Sequence, residues 1–152
     1  MNTKSNDTIL RPDGAAMEKK RSIIYLGGLI SCDGKSETEV RRRVGEGRAA
    51  FKVFARLWCH ANLTVYRKIE IFNACISSKV LYSLESLWLL KVDRARLDAF
   101  QCFCLRRILR IAPSFISRVS NVDVLSIGRQ IPYSVSLECR QVQSRLDPVD
   151  AK

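Results

Sequence analysis

The apolar positions of this chain change their period as the sequence proceeds. From Ile23 to Ile30 they run nearly unbroken around a Gly27-Gly28 pair, which predicts an apolar strand whose alternation is too partial to fix its register. Asp33-Gly34 reads as a turn, and Ser36-x-x-Glu39 has the form of a capping box opening a helix. The period then lengthens. Val40, Val44, Gly47, Phe51, Phe54 and Trp58 lie four and three apart, so a helix over 36–58 places them on one face. Thr64 is the expected N-cap of a second helix reaching about Leu87, with Ile69, Phe72, Ile76, Val80 and Leu87 on one stripe and Leu81, Tyr82, Leu84 and Trp88 widening it. Asp93 is the expected cap of a third, running through about Ile111 and stopped by Pro113, with Leu97, Phe100, Cys104, Ile108 and Ile111 inward. Ser120-x-x-Asp123 starts a short fourth helix ending at Gly128, and Pro132 opens a fifth to about Arg145.

The expected fold is mainly α: a short N-terminal β-hairpin followed by a bundle of three long and two short helices. Residues 1–22 form a polar lead-in with a turn at Pro12-Asp13-Gly14, where Thr8 to Arg11 and Ser22 to Ser31 are candidate arms of a hairpin or small sheet edge. Residues 23–34 are strand and turn, 36–128 the helical domain, and 129–152 a terminal helix and tail. The core is expected on Phe51, Trp58, Phe72, Leu97, Phe100 and Ile108.

Charge adds a direction. Across 152 residues, 26 Lys+Arg oppose 15 Asp+Glu, a net +11, and 17 of the 26 are arginine. Arginine's planar fork suits phosphate, so the balance favours a polyanionic partner, nucleic acid before membrane; a merely solvated basic surface is the plainer account. Arg41, Gly45, Arg48, Lys52 and Arg56 make a second stripe along the first long helix, suited either to tracking a phosphate backbone or to lying in water. Arg106, Arg107 and Arg110 cluster near the end of the third helix, where positive charge complements the dipole as well as suiting phosphate.

The sequence offers no catalytic constellation. No Asp-Asp pair occurs, the lone His60 has no evident partner, and Glu37, Glu39, Asp93 and Asp98 read as helix-start residues. Cys102-x-Cys104 lacks zinc-ribbon spacing, and Cys59, Cys75, Cys102 and Cys104 sit in apolar helical segments as small hydrophobes. No catalytic residue, metal or cofactor is expected. The first 22 residues lack an apolar signal core, and residues 80–90 are too short to span a bilayer and carry Glu85, so a soluble intracellular protein with reduced thiols is expected and membrane association is not.

Four segments in order carry a resemblance: Asn2-Thr3-Lys4, the run YLGGLISCDG at 25–34, Glu39-Val40-Arg41-Arg42-Arg43-Val44, and Arg96-Leu97-Asp98-Ala99-Phe100 with Cys104 to Leu109. Together they resemble the region after the catalytic palm in reverse transcriptases of non-LTR (LINE-type) retrotransposons, where a YLG primer-grip hairpin passes into a helical thumb. The likeness covers about residues 2–128, and the last 20 residues depart from the family pattern. It implies a primer-grip-like role for Tyr25, Leu26, Gly27 and Gly28. Arg41, Arg48, Lys52, Arg56, Arg106, Arg107 and Arg110 are then candidates for gripping an RNA–DNA or DNA duplex without reading its sequence. The family's catalytic aspartates lie upstream of the segments present, so the chain is expected to be no enzyme, with any catalytic palm supplied by another chain. A helical protein-interaction module, or a non-functional retroelement remnant, is the alternative.

Overall fold

The apolar run at 23–30 folds back on itself at its own centre. Leu26 (φ 47°) and Gly27 (φ 80°) are both left-handed, the pattern of a two-residue type I′ turn. Strands β1 (Ser22–Tyr25) and β2 (Gly28–Ser31) therefore pair antiparallel, with Ile23 opposite Ile30 and Tyr25 opposite Gly28. The single strand expected there is two, because the glycine pair supplies turn geometry rather than a bulge. The computed structural model describes residues 20–59 and 62–146, with Pro12 and Gly14. The candidate arm at Thr8 to Arg11, the Asn2-Thr3-Lys4 segment and His60 lie outside the described residues. The architecture is mainly α, a β-hairpin followed by packed helices.

Helix α1 (Glu37–Val53) stops before the expected end, and α2 (Ala55–Cys59) restarts after a break at Phe54. The break turns Trp58 back over the helix it came from. Its Nε1 donates to the Phe51 carbonyl at 2.9 Å, and the two rings stack with centroids 4.9 Å apart. Phe72 closes the cluster edge-on to Phe51. Gly47 permits a close helix approach: a Cβ there would lie 2.4 Å from Val80 Cγ2 and 3.0 Å from Phe100 Cζ. Gly45 has open space around it and no such role.

Thr64 caps α3 (Val65–Phe72), its hydroxyl accepting from the Arg67 N–H. A π-helical turn at Asn73–Ser77 leads into α4 (Ser78–Leu81). The helix ends here rather than near Leu87, because Ser83 turns left-handed (φ 67°) where the hairpin docks. A Cβ on Gly28 would meet Ser83 Oγ at 2.7 Å, and the Tyr82 hydroxyl donates to the Leu26 carbonyl. Tyr82 and Trp88, expected on the buried stripe, are consequently exposed.

Helix α5 (Lys91–Leu109) begins at Leu90, and Asp93 does not cap it. That carboxylate is buried and accepts instead from Ser36 Oγ (2.9 Å) and Arg96 Nη1 (3.2 Å). Ser36 makes no cap bond and Glu39 turns to arginines, so the capping box expected at α1 is absent: tertiary partners outcompete local ones. The box at Ser120/Asp123 does form and opens α7 (Asn121–Ile127), after a one-turn α6 (Ser114–Ser117). Asp98, expected as a helix-start residue of its own helix, instead serves the start of α8 (Tyr133–Leu146), accepting from the Ser134 N–H at 2.9 Å and its hydroxyl at 2.6 Å. Gln101 Oε1 takes the neighbouring Tyr133 N–H. Two of the orphan donors that every helix start carries are thus met across a helix interface.

The six expected core residues, Phe51, Trp58, Phe72, Leu97, Phe100 and Ile108, are all buried, and α1 and α3 pack against α5 around them. Cys102 and Cys104 are buried with them, and burial pushes the Cys104 thiol up to about 12. Cys59 and Cys75 are exposed, against expectation, since each falls on the solvent side of its helix. Among the described residues no helix is long and apolar enough to cross a membrane.

Candidate nucleic-acid interface

Two groups of cations lie on α1, and their neighbours give them different work. The first surrounds Glu39, which is 1% exposed. Its carboxylate accepts from Arg42 Nε (2.7 Å) and Nη2 (2.6 Å) and from Arg43 Nε (2.7 Å). Arg42 also reaches Glu46 at 2.7 Å. Burial alone would raise the Glu39 carboxyl, but the hydrogen bonds from Arg42 and Arg43 outweigh it and hold the group below the usual glutamate value. The same bond to Glu39 raises Arg42. Both guanidiniums then donate to the Gly27 carbonyl, at 2.7 and 2.5 Å, and Arg43 lies 5.0 Å over the Tyr82 ring. This cluster clamps the primer-grip-like turn onto the helix. Gly28 is buried beneath it, whereas Tyr25 and Leu26 project outward at 62% and 76% exposure.

The second group lies about 8 Å further along α1 and about 140° around it, by the rise and turn of an α-helix over the five residues from Arg43 to Arg48. Here Arg48 and Lys52 from α1 face Arg107 from α5 across an open cleft of about 480 Å³. Its apolar wall is Phe51, Phe100 and Phe103. Phe51 and Phe100 belong to the core, but Phe103 is 55% exposed. Among the described residues none of the three cations has a hydrogen-bond or ion-pair partner, and no carboxylate there neutralises the rim.

The other candidates fall elsewhere. Arg41 is exposed and paired to Glu37 at 2.6 Å. Arg56 is exposed on α2, and the break at Phe54 leaves it outside the cleft. Arg106 is tied down, donating to the carbonyls of Ala112 (3.0 Å) and Val119 (2.7 Å) and to Asn121 Oδ1 (3.1 Å). Arg110 is the left-handed residue ending α5 and donates to the Cys59 carbonyl at 3.0 Å, joining α2 to α5. The C-terminal trio therefore divides, with Arg107 alone turned to the cleft. Lys68 is an anchor of the same kind, 4% exposed and donating from Nζ to the Trp58 carbonyl at 2.9 Å.

Sequence reasoning missed Phe103 and the clamp of Arg42, Arg43 and Tyr82. Phe103 carried a signal, an aromatic residue off the inward stripe of its helix and one turn before Arg107. The clamp carried none, because its acceptor is a backbone carbonyl remote in sequence. Among the described residues no three His, Cys, Asp or Glu side chains gather as a metal-holding group.

No protein-family model, curated protein or solved structure matches this chain.

Proposed function

We propose that this chain is a non-catalytic nucleic-acid-binding fragment resembling the thumb of a LINE-type reverse transcriptase, gripping RNA–DNA or DNA duplex backbone without sequence specificity. One observation carries the reading: Arg48, Lys52 and Arg107 converge from two helices on one cleft, with no acid beside them among the described residues. Unpaired cations on a rigid helix pair attract phosphate and release its counterions, and they carry no base-reading geometry. The net +11 charge works in the same direction at long range. The clamped hairpin beside a basic helix is consistent with a primer-grip-and-thumb arrangement, in which any catalytic palm belongs to another chain.

A second reading has its own support. Ile23, Ile24, Tyr25 and Leu26 are each more than half exposed on the hairpin, an apolar strip suited to a protein partner. Salt separates the two readings. Fluorescence anisotropy with an RNA–DNA hybrid at several salt concentrations is expected to give a log K against log salt slope near about −3, one unit for each of three neutralised phosphates. A slope near zero, or strong preference for one sequence at fixed salt, would reject the backbone-grip reading.

A further inference from the structure

Backbone contact alone leaves Phe103 unexplained. Phe103 is 55% exposed and lines the same cleft as Arg48 and Lys52 of α1 and Arg107 of its own helix, which puts an open aromatic face among three cations. Phe103 and Arg107 are one turn apart on α5, and Arg48 and Lys52 one turn apart on α1, so the aromatic face and the three cations are held by rigid helices rather than loops. The cleft volume falls in the range of about 300–1,000 Å³ typical of small-molecule sites.

We infer that the cleft takes one unpaired nucleotide of a nucleic-acid strand, its base stacked on Phe103 and its phosphate held by Arg48, Lys52 and Arg107. A paired base offers no face to a side chain, because its neighbours in the duplex cover both sides. An unpaired base has a free face, and stacking on an aromatic side chain is sequence-tolerant because every base has a π-face. The preferred ligand is therefore a single strand, or a duplex carrying an unpaired end. This inference rests on the nucleic-acid reading above and narrows it: phosphate contact supplies the salt dependence, and stacking adds a term that salt barely changes.

The test compares the whole chain binding a single-stranded oligodeoxynucleotide with an abasic oligomer of the same length and charge, at one salt concentration. The base-bearing strand is expected to bind about tenfold tighter. Phe103→Ala is expected to erase that difference and Phe103→Trp to keep it. Arg48→Gln with Lys52→Gln is expected to weaken both oligomers alike. Because Phe103 is 55% exposed, its variants should melt with the parent, which circular dichroism checks. Equal binding of the two oligomers would overturn the stacking inference and leave the backbone grip to its own salt-slope test. Persistence of the difference in Phe103→Ala would also overturn it. Absence of binding to either oligomer and to duplex would remove both.

Discussion

The two cation groups on α1 use the same residue types on one helix, yet one holds the protein together and the other faces solvent. Around Glu39, two arginines are consumed: a buried carboxylate fixes them, and the Gly27 carbonyl and Glu46 take further donors. Around Arg48 the cleft wall is aromatic, and among the described residues no acid answers the charge. The difference teaches that a basic stripe is not a functional unit. What separates an anchor from a contact residue is whether the opposing element presents an oxygen or a hydrocarbon face.

The anchor side can be broken hardest. Glu39→Ala leaves the buried Arg43 (5% exposed) without its carboxylate and is expected to cost about 3–5 kcal/mol. Chemical denaturation measures it, and a loss below about 1 kcal/mol would mean the cluster is dispensable. The same pair sets an acid limit. A carboxyl held below its unfolded value of 4.5 contributes stability that is complete above that pH and lost as pH falls through the folded value. Thermal melts of the parent should therefore fall steeply below about pH 4.5, and Glu39→Gln should flatten that dependence.

The cleft side should respond in the opposite sense. Changing Arg48, Lys52 and Arg107 together to Gln is expected to lower hybrid affinity about tenfold or more. Each exposed substitution should cost under about 0.5 kcal/mol in stability. Anisotropy and a melt on the same preparation read both quantities. A triple variant that unfolds would make these residues anchors too and erase the contrast.

The smallest effect sharpens the anchor. Leu26 occupies a left-handed turn position (φ 47°) that a leucine tolerates poorly, with its carbonyl fixed by Tyr82. Leu26→Asn is expected to stabilise the chain by about 1 kcal/mol, because asparagine adopts that conformation more readily. A loss of stability on denaturation would show that the exposed leucine side chain contributes packing of its own.

Much of the fold was legible because it rests on local periodicity. The four-three spacing placed Phe51, Trp58, Leu97, Phe100 and Ile108 inward without reference to any neighbour, Thr64 and Ser120/Asp123 marked helix starts through contacts within one turn, and Pro132 marked the start of α8. The exposure of Arg41, Arg48, Lys52 and Arg56 followed from the same geometry. Tertiary structure decided what those local rules leave free. Asp93 chose Ser36 and Arg96 over its own helix end, Asp98 served the start of another helix, and the second helix stopped at Leu81 because the hairpin needed Ser83 turned beneath Gly28. Which basic residues face a cleft depended likewise on what α5 presents to α1. A side chain's reach of several ångströms spans elements far apart in sequence, so a charge or cap that looks satisfied locally is reassigned when a buried partner, with water excluded, binds it more strongly.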